Sequence, residues 1–175
     1  MYQHTRHFLD IETQIWRLKM QYDIKGLNRL FNDFVKEQMP EQLKPWQVYY
    51  SVFTLLTLSQ LEVDSKAHSR QAMTLLKDAH GIENKSDEFY ALAACCSGHL
   101  AAVIKDPIAK ARAGMTANRS FKIAFEINPN NPRAYLLQGL SFMNKPKLVG
   151  GSKKKALTLL AKSVELFETP QPITE

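Results

Sequence analysis

Glycine and cysteine are scarce in this chain of 175 residues, which has 7 glycines and 2 cysteines. Tight hairpin turns depend on glycine, so an all-β protein is excluded. Leucine and alanine, by contrast, account for 21 and 16 residues, and both favour helices. Hydrophobic residues make up 45% and charged residues 23% of the chain, which is typical of a globular protein with a real core. The composition predicts one helical domain or one short array of repeats.

Long apolar runs are also missing. The first 24 residues are interrupted by charged and histidine side chains, so they lack the apolar core of a signal peptide. The longest uncharged run covers residues 45–61, and its 17 residues are too few and too polar to span a bilayer about 30 Å thick. These absences predict a cytoplasmic protein if Met1 is native. A periplasmic or exported location is the alternative if an export segment has been removed.

The two cysteines, Cys95 and Cys96, are neighbours in the sequence. Adjacent residues on a helix point about 100° apart, which disfavours a disulfide between them. A zinc site needs spaced ligands and usually four of them, so the pair does not predict a metal site. We expect both cysteines to serve as small, buried apolar residues.

Apolar residues recur at helical spacing, and helix-breaking residues divide the chain into eight helical segments. Asp106-Pro107 and Asn131-Pro132 are typical helix starts, while His80-Gly81 is a typical helix end. Asp64 or Ser65 is expected to cap the fourth helix. The predicted helices cover residues 5–21, 25–38, 45–62, 65–80, 86–105, 107–128, 132–144 and 153–168.

Small and large residues alternate at a recurring spacing in the second half of the chain. The residues that carry this pattern are Ala117, Phe121, Ala124, Pro129, Tyr135, Gly139 and Phe142. The pattern resembles the tetratricopeptide repeat, TPR, a helix-turn-helix unit of about 34 residues. This resemblance implies an all-α, right-handed solenoid of four antiparallel helix pairs with degenerate first pairs. It also predicts one domain over residues 1–168 and a tail over 169–175.

The distance from Phe142 to Ala156 is longer than the repeat uses, which predicts an inserted loop over residues 144–152. Three short runs also resemble a family of small TPR proteins common in Bacteroidetes-type bacteria. These runs cover residues 112–115, 130–139 and 150–157. Members of that family usually carry an export signal and have no assigned activity.

No arrangement of side chains predicts catalysis. His4 and His7 share a helix face, but fraying of the terminus explains them better than a metal site. His99 lies among apolar residues, which favours a packed histidine over a general base. We therefore expect no enzyme activity, no catalytic residue, no metal site and no cofactor.

A binding groove is the stronger expectation. In a TPR stack the first helix of each pair lines a concave face, and the helical period selects which side chains share it. Apolar and aromatic residues on such a face suit an amphipathic or extended peptide. Packing between repeats, or against a second copy of the chain, is the alternative, so a homo-oligomer is also considered. The predicted groove residues are Trp16, Tyr50, His99, Arg133, Leu136, Leu140 and Met143.

Charge is unevenly distributed along the chain. Residues 1–104 carry 11 Lys and Arg against 12 Asp and Glu, whereas residues 105–175 carry 12 against 5. Five lysines crowd the inserted loop and the start of the last helix, and they define a predicted patch for an anionic partner. The alternative is a solvated basic surface. The patch consists of Lys145, Lys147, Lys153, Lys154 and Lys155.

These features predict a non-enzymatic TPR scaffold that binds a protein or peptide segment in its groove, with acidic partners favoured by the basic second half. A carrier of small apolar or anionic ligands, with a pocket between helix pairs near Cys95, His99 and Tyr135, is the first alternative. Nucleic-acid binding is the second alternative. It is disfavoured, because the basic half lacks interleaved aromatic residues.

Overall fold

The computed structural model describes residues 2–61, 65–79 and 86–169, and within these ranges the chain forms helices and no β-strand. The prediction of an all-α protein with eight helices is therefore confirmed for this part of the chain. Two short 3₁₀ turns, Glu41–Leu43 and Lys147–Val149, precede α3 and α8. The helices are α1 (Tyr2–Met20), α2 (Ile24–Lys36), α3 (Lys44–Leu61), α4 (Ser65–Asp78), α5 (Asp87–Val103), α6 (Pro107–Ile127), α7 (Pro132–Asn144) and α8 (Lys153–Glu168).

Polar side chains start several helices as the sequence predicts. The Asn131 side chain accepts a hydrogen bond from the Ala134 amide at 2.8 Å, and Asp106 accepts one from the Ile108 amide at 2.9 Å. Each bond satisfies a backbone N–H group that has no partner within the helix. The expected cap Asp64 and the expected stop His80-Gly81 lie outside the described residues.

The chain divides into two compact units. The first unit comprises residues 1–85 and 102–110, and the second comprises residues 86–101 and 111–175. The single domain over residues 1–168 stays a prediction. Of the predicted tail, Thr169 ends the described part of the chain, and residues 170–175 lie outside it.

Large side chains build the core of the first unit. Here α3 packs against α1, α2 and α4. Leu27 and Leu55 are fully buried, and the rings of Phe8 and Tyr50 stack at 5.4 Å between centroids. Aromatic pairs of this kind add to the stabilisation that burial of apolar area provides. The first unit is therefore held together by bulky apolar and aromatic residues from α1 to α4.

Small side chains dominate the contact of α7 with α8 in the second unit. A Cβ atom added at Gly139 would lie 2.9 Å from Leu160, and the Ser163 hydroxyl donates to the Pro132 carbonyl oxygen at 2.8 Å. Gly139, in the second half of α7, thus meets α8 at Ala156 and Leu160, whereas Pro132, at the start of α7, meets Ser163 further along α8. The two helices therefore run antiparallel. Ala156, on α8, is fully buried. The glycine allows the backbones to approach closely.

No described helix combines the length and the apolar character that a membrane span requires.

Candidate functional site

Two helices of the second unit, α5 and α7, lie side by side. The Asp87 carboxylate accepts a hydrogen bond from the Asn131 side-chain amide at 2.7 Å near the start of both helices. Towards their other ends, a side chain at Gly98 would come within 4.0 Å of the Ser141 hydroxyl oxygen. Since the two contacts have nearly the same offset in sequence, α5 and α7 run parallel. Both helices can therefore present one continuous face.

Three buried alanines, one each from α5, α6 and α7, form a small core cluster, which we call the floor. Larger, partly buried side chains surround this floor. Among them, the rings of Phe125 and Tyr135 lie 4.8 Å apart between centroids. The floor consists of Ala91, Ala124 and Ala134, and Tyr90, Phe125 and Leu137 pack against it. Several larger side chains of α7 remain partly accessible.

We call the accessible side of these two helices the α5–α7 face, and it consists of Cys95, Gly98, His99, Leu136, Leu140 and Met143. These residues are half-buried, except Leu140, which is 42% exposed. The Nε2 atom of His99 is buried. The face therefore offers apolar side chains and one thiol, while the Nε2 atom of its one imidazole is withdrawn from solvent. The sequence predicts His99, Leu136, Leu140 and Met143 in a binding groove, and that assignment stays a prediction.

Arg133 lies near the start of the α5–α7 face. Its guanidinium Nε is 3.9 Å from the Glu88 carboxylate oxygen on α5, and both side chains are about one-third exposed or less. Attraction to Glu88 offsets part of the arginine charge that the sequence assigns to an acidic partner. The positive charge available to a ligand therefore lies elsewhere in the second unit.

Phe142, at the end of α7, is flanked by two cations. The ammonium groups of Lys145 and Lys155 each lie 5.7 Å from the centroid of its ring. This is within the range of a cation–π interaction. Burial lowers the pKa of Lys145 from its ordinary value, because partial removal from water disfavours the charged amine. An anion bound here would oppose that effect and stabilise the charged form.

The other lysines of the predicted patch, Lys147, Lys153 and Lys154, are exposed. Among the described residues, no carboxylate forms an ion pair with any of the five patch lysines. The structure thus places the patch at the surface without internal neutralisation, and its anionic partner stays a prediction.

Two of the predicted groove residues belong to the first unit and differ in exposure. Trp16 is 46% exposed, packs edge-on against Phe53, and has the Lys19 ammonium 5.0 Å from its ring. Tyr50 is only 5% exposed and its hydroxyl is 3.3 Å from a Glu12 carboxylate oxygen. The expectation that Tyr50 lines an accessible groove is therefore corrected: its ring is part of the core, because it stacks on Phe8.

The sequence places Phe142 in the TPR pattern as a packing residue and does not indicate its contact with two lysines. The only available signal is proximity in sequence, since Lys145 follows it by three residues. The contact with Lys155 depends on the turn that returns the chain to α8. Similarly, the pairing of Asp87 with Asn131 depends on the parallel packing of α5 and α7.

Neither Cys95 nor Cys96 forms a disulfide. Cys96 is buried, and burial, followed by the neighbouring Cys95, raises its pKa well above the ordinary value. Cys95 is half-buried on the α5–α7 face. The prediction of two buried apolar cysteines thus describes Cys96, whereas Cys95 is partly accessible.

The described residues contain no group of three or more His, Cys, Asp or Glu side chains placed to hold a metal ion. The α5–α7 face instead supplies single donor atoms, such as the imidazole of His99. Apolar surface, separate donor atoms and two neighbouring amines suit the binding of a small ligand that is mostly apolar and carries negative charge.

The fold and this face define an all-helical protein with a partly accessible apolar surface and, around Phe142, two lysine cations. No protein-family model and no curated protein matches the chain. Among solved structures, it is similar to the HusA haemophore from Porphyromonas gingivalis, with a TM-score of 0.66 and 21% sequence identity. The match covers 90% of this chain and 78% of the haemophore chain.

This likeness corrects the main functional prediction. A peptide-binding scaffold or adaptor is the function that the TPR pattern favours, yet the similar structure is a haemophore. The prediction of a protein- or peptide-interaction module is therefore wrong. The error arises because TPR-like spacing reports how helices pack and does not specify what their exposed face binds.

Proposed function

We propose that this protein is a carrier of a small, flat, apolar and anionic ligand, with haem as the first candidate. The observation that carries the proposal is the likeness of the fold to a haemophore over 90% of the chain. At 21% identity this likeness concerns the fold. The choice of ligand is therefore argued from the residues of the α5–α7 face.

The apolar side chains of the face match the macrocycle of haem. Leu136, Leu140 and Met143 share one side of α7 and keep part of their surface accessible. Covering them with a flat apolar ring removes their apolar area from water, at about 25 cal/mol per Å². Small-molecule sites are generally lined by apolar residues with a few well-placed polar groups.

Other polar groups of the second unit match the rest of haem. Lys145 and Lys155 flank Phe142 and form no ion pair within the described residues, so they can meet the two carboxylates of the ligand. Haem iron is commonly held by a histidine, a thiolate or a methionine sulfur. His99 is our candidate for this contact, and Cys95 is the alternative thiol on the same helix face.

Titration with haemin and with metal-free protoporphyrin IX, followed by visible absorption, tests the proposal. We expect the wild-type protein to bind both molecules. Leu140→Glu places a charge on the apolar face and is expected to weaken binding of both ligands at least tenfold. His99→Ala is expected to change the haemin spectrum while leaving protoporphyrin binding nearly unchanged.

Met115→Glu is the matched control, because Met115 is 72% exposed on α6 and is not part of the face. Binding by this variant is expected to equal that of the wild type. Absence of binding by the wild type would contradict the carrier function. Equal weakening by Leu140→Glu and Met115→Glu would instead contradict the assignment of the α5–α7 face.

The TPR-like solenoid enters the proposal as the expected scaffold of the carrier. Within the second unit, the parallel α5 and α7 and the antiparallel α7 and α8 are arrangements that such repeats use. The absence of enzyme activity stays an expectation, as does the choice between a cytoplasmic and an exported location.

A further inference from the structure

The loop between α7 and α8, residues 145–152, is a closed turn. The Gly151 amide donates to the Pro146 carbonyl oxygen at 3.0 Å, and the Ser152 amide donates to the Phe142 carbonyl oxygen at 3.1 Å. Within the turn, the Val149 amide also donates to Pro146 at 3.1 Å. These bonds satisfy backbone groups inside the loop and fix its shape.

Two glycines permit this turn. Gly150 has a φ of 89°, in the left-handed region that favours glycine. A Cβ atom at Gly151 would lie 1.9 Å from the Lys145 carbonyl oxygen, which no side chain can accept. The two glycines therefore restrict the backbone conformation at the end of the loop.

The two residues that precede Gly150 are apolar. Leu148 is 99% exposed and Val149 is 64% exposed, so the turn presents two aliphatic side chains to solvent. Single exposed apolar residues are common on protein surfaces. Leu148 and Val149, however, are adjacent on a closed turn, and Leu148 is fully exposed. Such a pair is suited to contact an apolar environment outside the protein.

Cations surround this apolar tip. Lys147 precedes Leu148 within the turn, while Lys153 and Lys154 begin α8, and all three are exposed. Between Glu126 and Glu165 the sequence contains no acidic residue. Among the described residues no carboxylate pairs with these lysines. The charge around the tip is therefore positive and uncompensated.

We propose that this loop docks the protein on an anionic lipid bilayer. Leu148 and Val149 enter the interface between headgroups and acyl chains, while Lys147, Lys153 and Lys154 contact lipid phosphates. Apolar insertion combined with basic residues is how peripheral proteins hold anionic membranes. This inference does not rest on the proposed carrier function, because it uses a different set of lysines and the tip of the loop.

The shape of the tip favours a lipid surface over an acidic protein. A fully exposed leucine on a convex turn would need a complementary pocket in a protein partner, whereas a bilayer rearranges around an inserted side chain. The three lysines also surround the tip on both sides along the sequence, as a diffuse anionic surface requires. A soluble acidic polypeptide therefore serves as the competing outcome in the test.

Co-sedimentation with vesicles tests the proposal. One set consists of phosphatidylcholine alone, and the other contains three parts phosphatidylcholine and one part phosphatidylglycerol. We expect binding to the anionic vesicles only, and release when NaCl is raised from about 0.1 M to about 1 M, which shortens the Debye length from about 10 Å to about 3 Å. The combined change of Lys147, Lys153 and Lys154 to alanine is expected to weaken binding about 100-fold, at about fivefold per lysine.

Leu148→Glu is expected to weaken vesicle binding at least tenfold while leaving the lysines in place. Its matched control is Ile108→Glu, because Ile108 is 66% exposed on α6, away from the loop in sequence. The control for the lysine variant is the combined change of the exposed residues Lys25, Lys36 and Lys66 to alanine. Both control variants are expected to bind vesicles like the wild type, and circular dichroism checks the helical content of every variant.

Three outcomes would overturn the proposal. The first is failure of the wild type to bind anionic vesicles, and the second is equal binding to neutral and anionic vesicles. The third is unchanged binding by Leu148→Glu together with equally tight binding to polyglutamate, which would indicate an acidic protein partner. None of these outcomes bears on haemin binding, so a failure here is distinguishable from a failure of the carrier function.

Discussion

The two units of this protein bury apolar surface in different ways. The first unit fills its interior with large side chains, such as the stacked Phe8 and Tyr50 and the fully buried Leu55. The second unit brings helices together over small residues, with Gly139 against α8 and Ala134 in the floor. Small residues in the interior leave larger residues at the accessible side of the same helices. The comparison is our reason for placing the proposed ligand site in the second unit.

Charge distinguishes the same two regions. The first 104 residues are nearly neutral, with 11 basic and 12 acidic side chains, whereas residues 105–175 have 12 and 5. In the second unit, five lysines form no ion pair within the described part of the chain. Close helix packing and lysines without ion pairs therefore occur together in the second unit. Substitutions in each unit test this contrast with the first unit.

Leu55→Ala is expected to lower the free energy of unfolding by about 3 kcal/mol, because it removes a fully buried side chain from the core of the first unit. Urea denaturation followed by tryptophan fluorescence measures this loss, since both tryptophans, Trp16 and Trp46, belong to the first unit. Met20→Ala, at a residue that is 79% exposed, is expected to change stability by less than about 0.5 kcal/mol. A loss below 1 kcal/mol for Leu55→Ala would indicate a loosely packed first unit.

Gly139→Val tests the close approach in the second unit. The added side chain overlaps Leu160 and lies near the Ala156 carbonyl oxygen, so we expect a loss of about 2 kcal/mol. Gly114→Ala is the control, because a Cβ atom there meets nothing within 4 Å, and it is expected to gain about 0.5 kcal/mol. Urea denaturation followed by far-ultraviolet circular dichroism measures both. Equal effects of the two changes would contradict the packing of α7 on α8.

Asp87→Ala removes the carboxylate that joins α5 to the start of α7. Its oxygen accepts hydrogen bonds from Asn128 at 2.8 Å and from Asn131 at 2.7 Å. We expect a loss of about 1.5 kcal/mol, because two amide donors lose a charged acceptor. Asp33→Ala, at an exposed residue of α2, is the matched control and is expected to have little effect. Thermal or urea unfolding measures both variants. If Asp87→Ala and Asp33→Ala had the same unfolding midpoint, the junction of α5 with α7 would contribute no stability.

The two thiols are expected to differ in reactivity. Iodoacetamide should modify the half-buried Cys95 at least tenfold faster than the buried Cys96 in the native protein, as peptide mass spectrometry can measure. Burial raises the pKa of Cys96, so little of this thiol is thiolate at neutral pH and its modification stays slow. Similar rates at the two positions would show that the interior around α5 opens readily.

The raised pKa of Cys96 also sets a small dependence of stability on pH. The native state disfavours the thiolate of Cys96. The contribution of this residue to stability is therefore fully present below the pKa that the thiol has in the unfolded chain, about 9. It is lost as the pH rises beyond that value, because the unfolded state then releases a proton more readily. Cys96→Ala should abolish this part of the alkaline decrease, which denaturation at several pH values would detect.

Much of the fold can be predicted from local sequence. Caps such as Asp106 and Asn131 act within three residues of the groups they bind, so their role is visible without knowledge of the tertiary structure. The small residue Gly139 is likewise identifiable by its place in a repeating pattern. Helix number and boundaries follow from such local signals.

The candidate site is less predictable because it depends on contacts between distant residues. The burial of Tyr50 follows from its stacking on Phe8, and the two cations around Phe142 follow from the return of the chain through the loop. The full exposure of Leu148 also cannot be predicted from the hydrophobic pattern, because that pattern assigns leucine to the core. Tertiary packing decides these positions, and the repeat spacing alone also predicts the wrong class of partner.

The loop between α7 and α8 contains, within a few residues, two positions that folding restricts and one that folding leaves almost unrestricted. Gly150 has a left-handed backbone that favours glycine, and a Cβ atom at Gly151 would overlap the Lys145 carbonyl oxygen, so folding itself restricts those positions. At Leu148 the side chain contacts solvent on all sides, and folding imposes almost no choice. In a library of random variants selected for stability alone, the glycines should therefore persist while position 148 diversifies. Any preference at position 148 under selection for activity would report directly on what the surface of this protein touches.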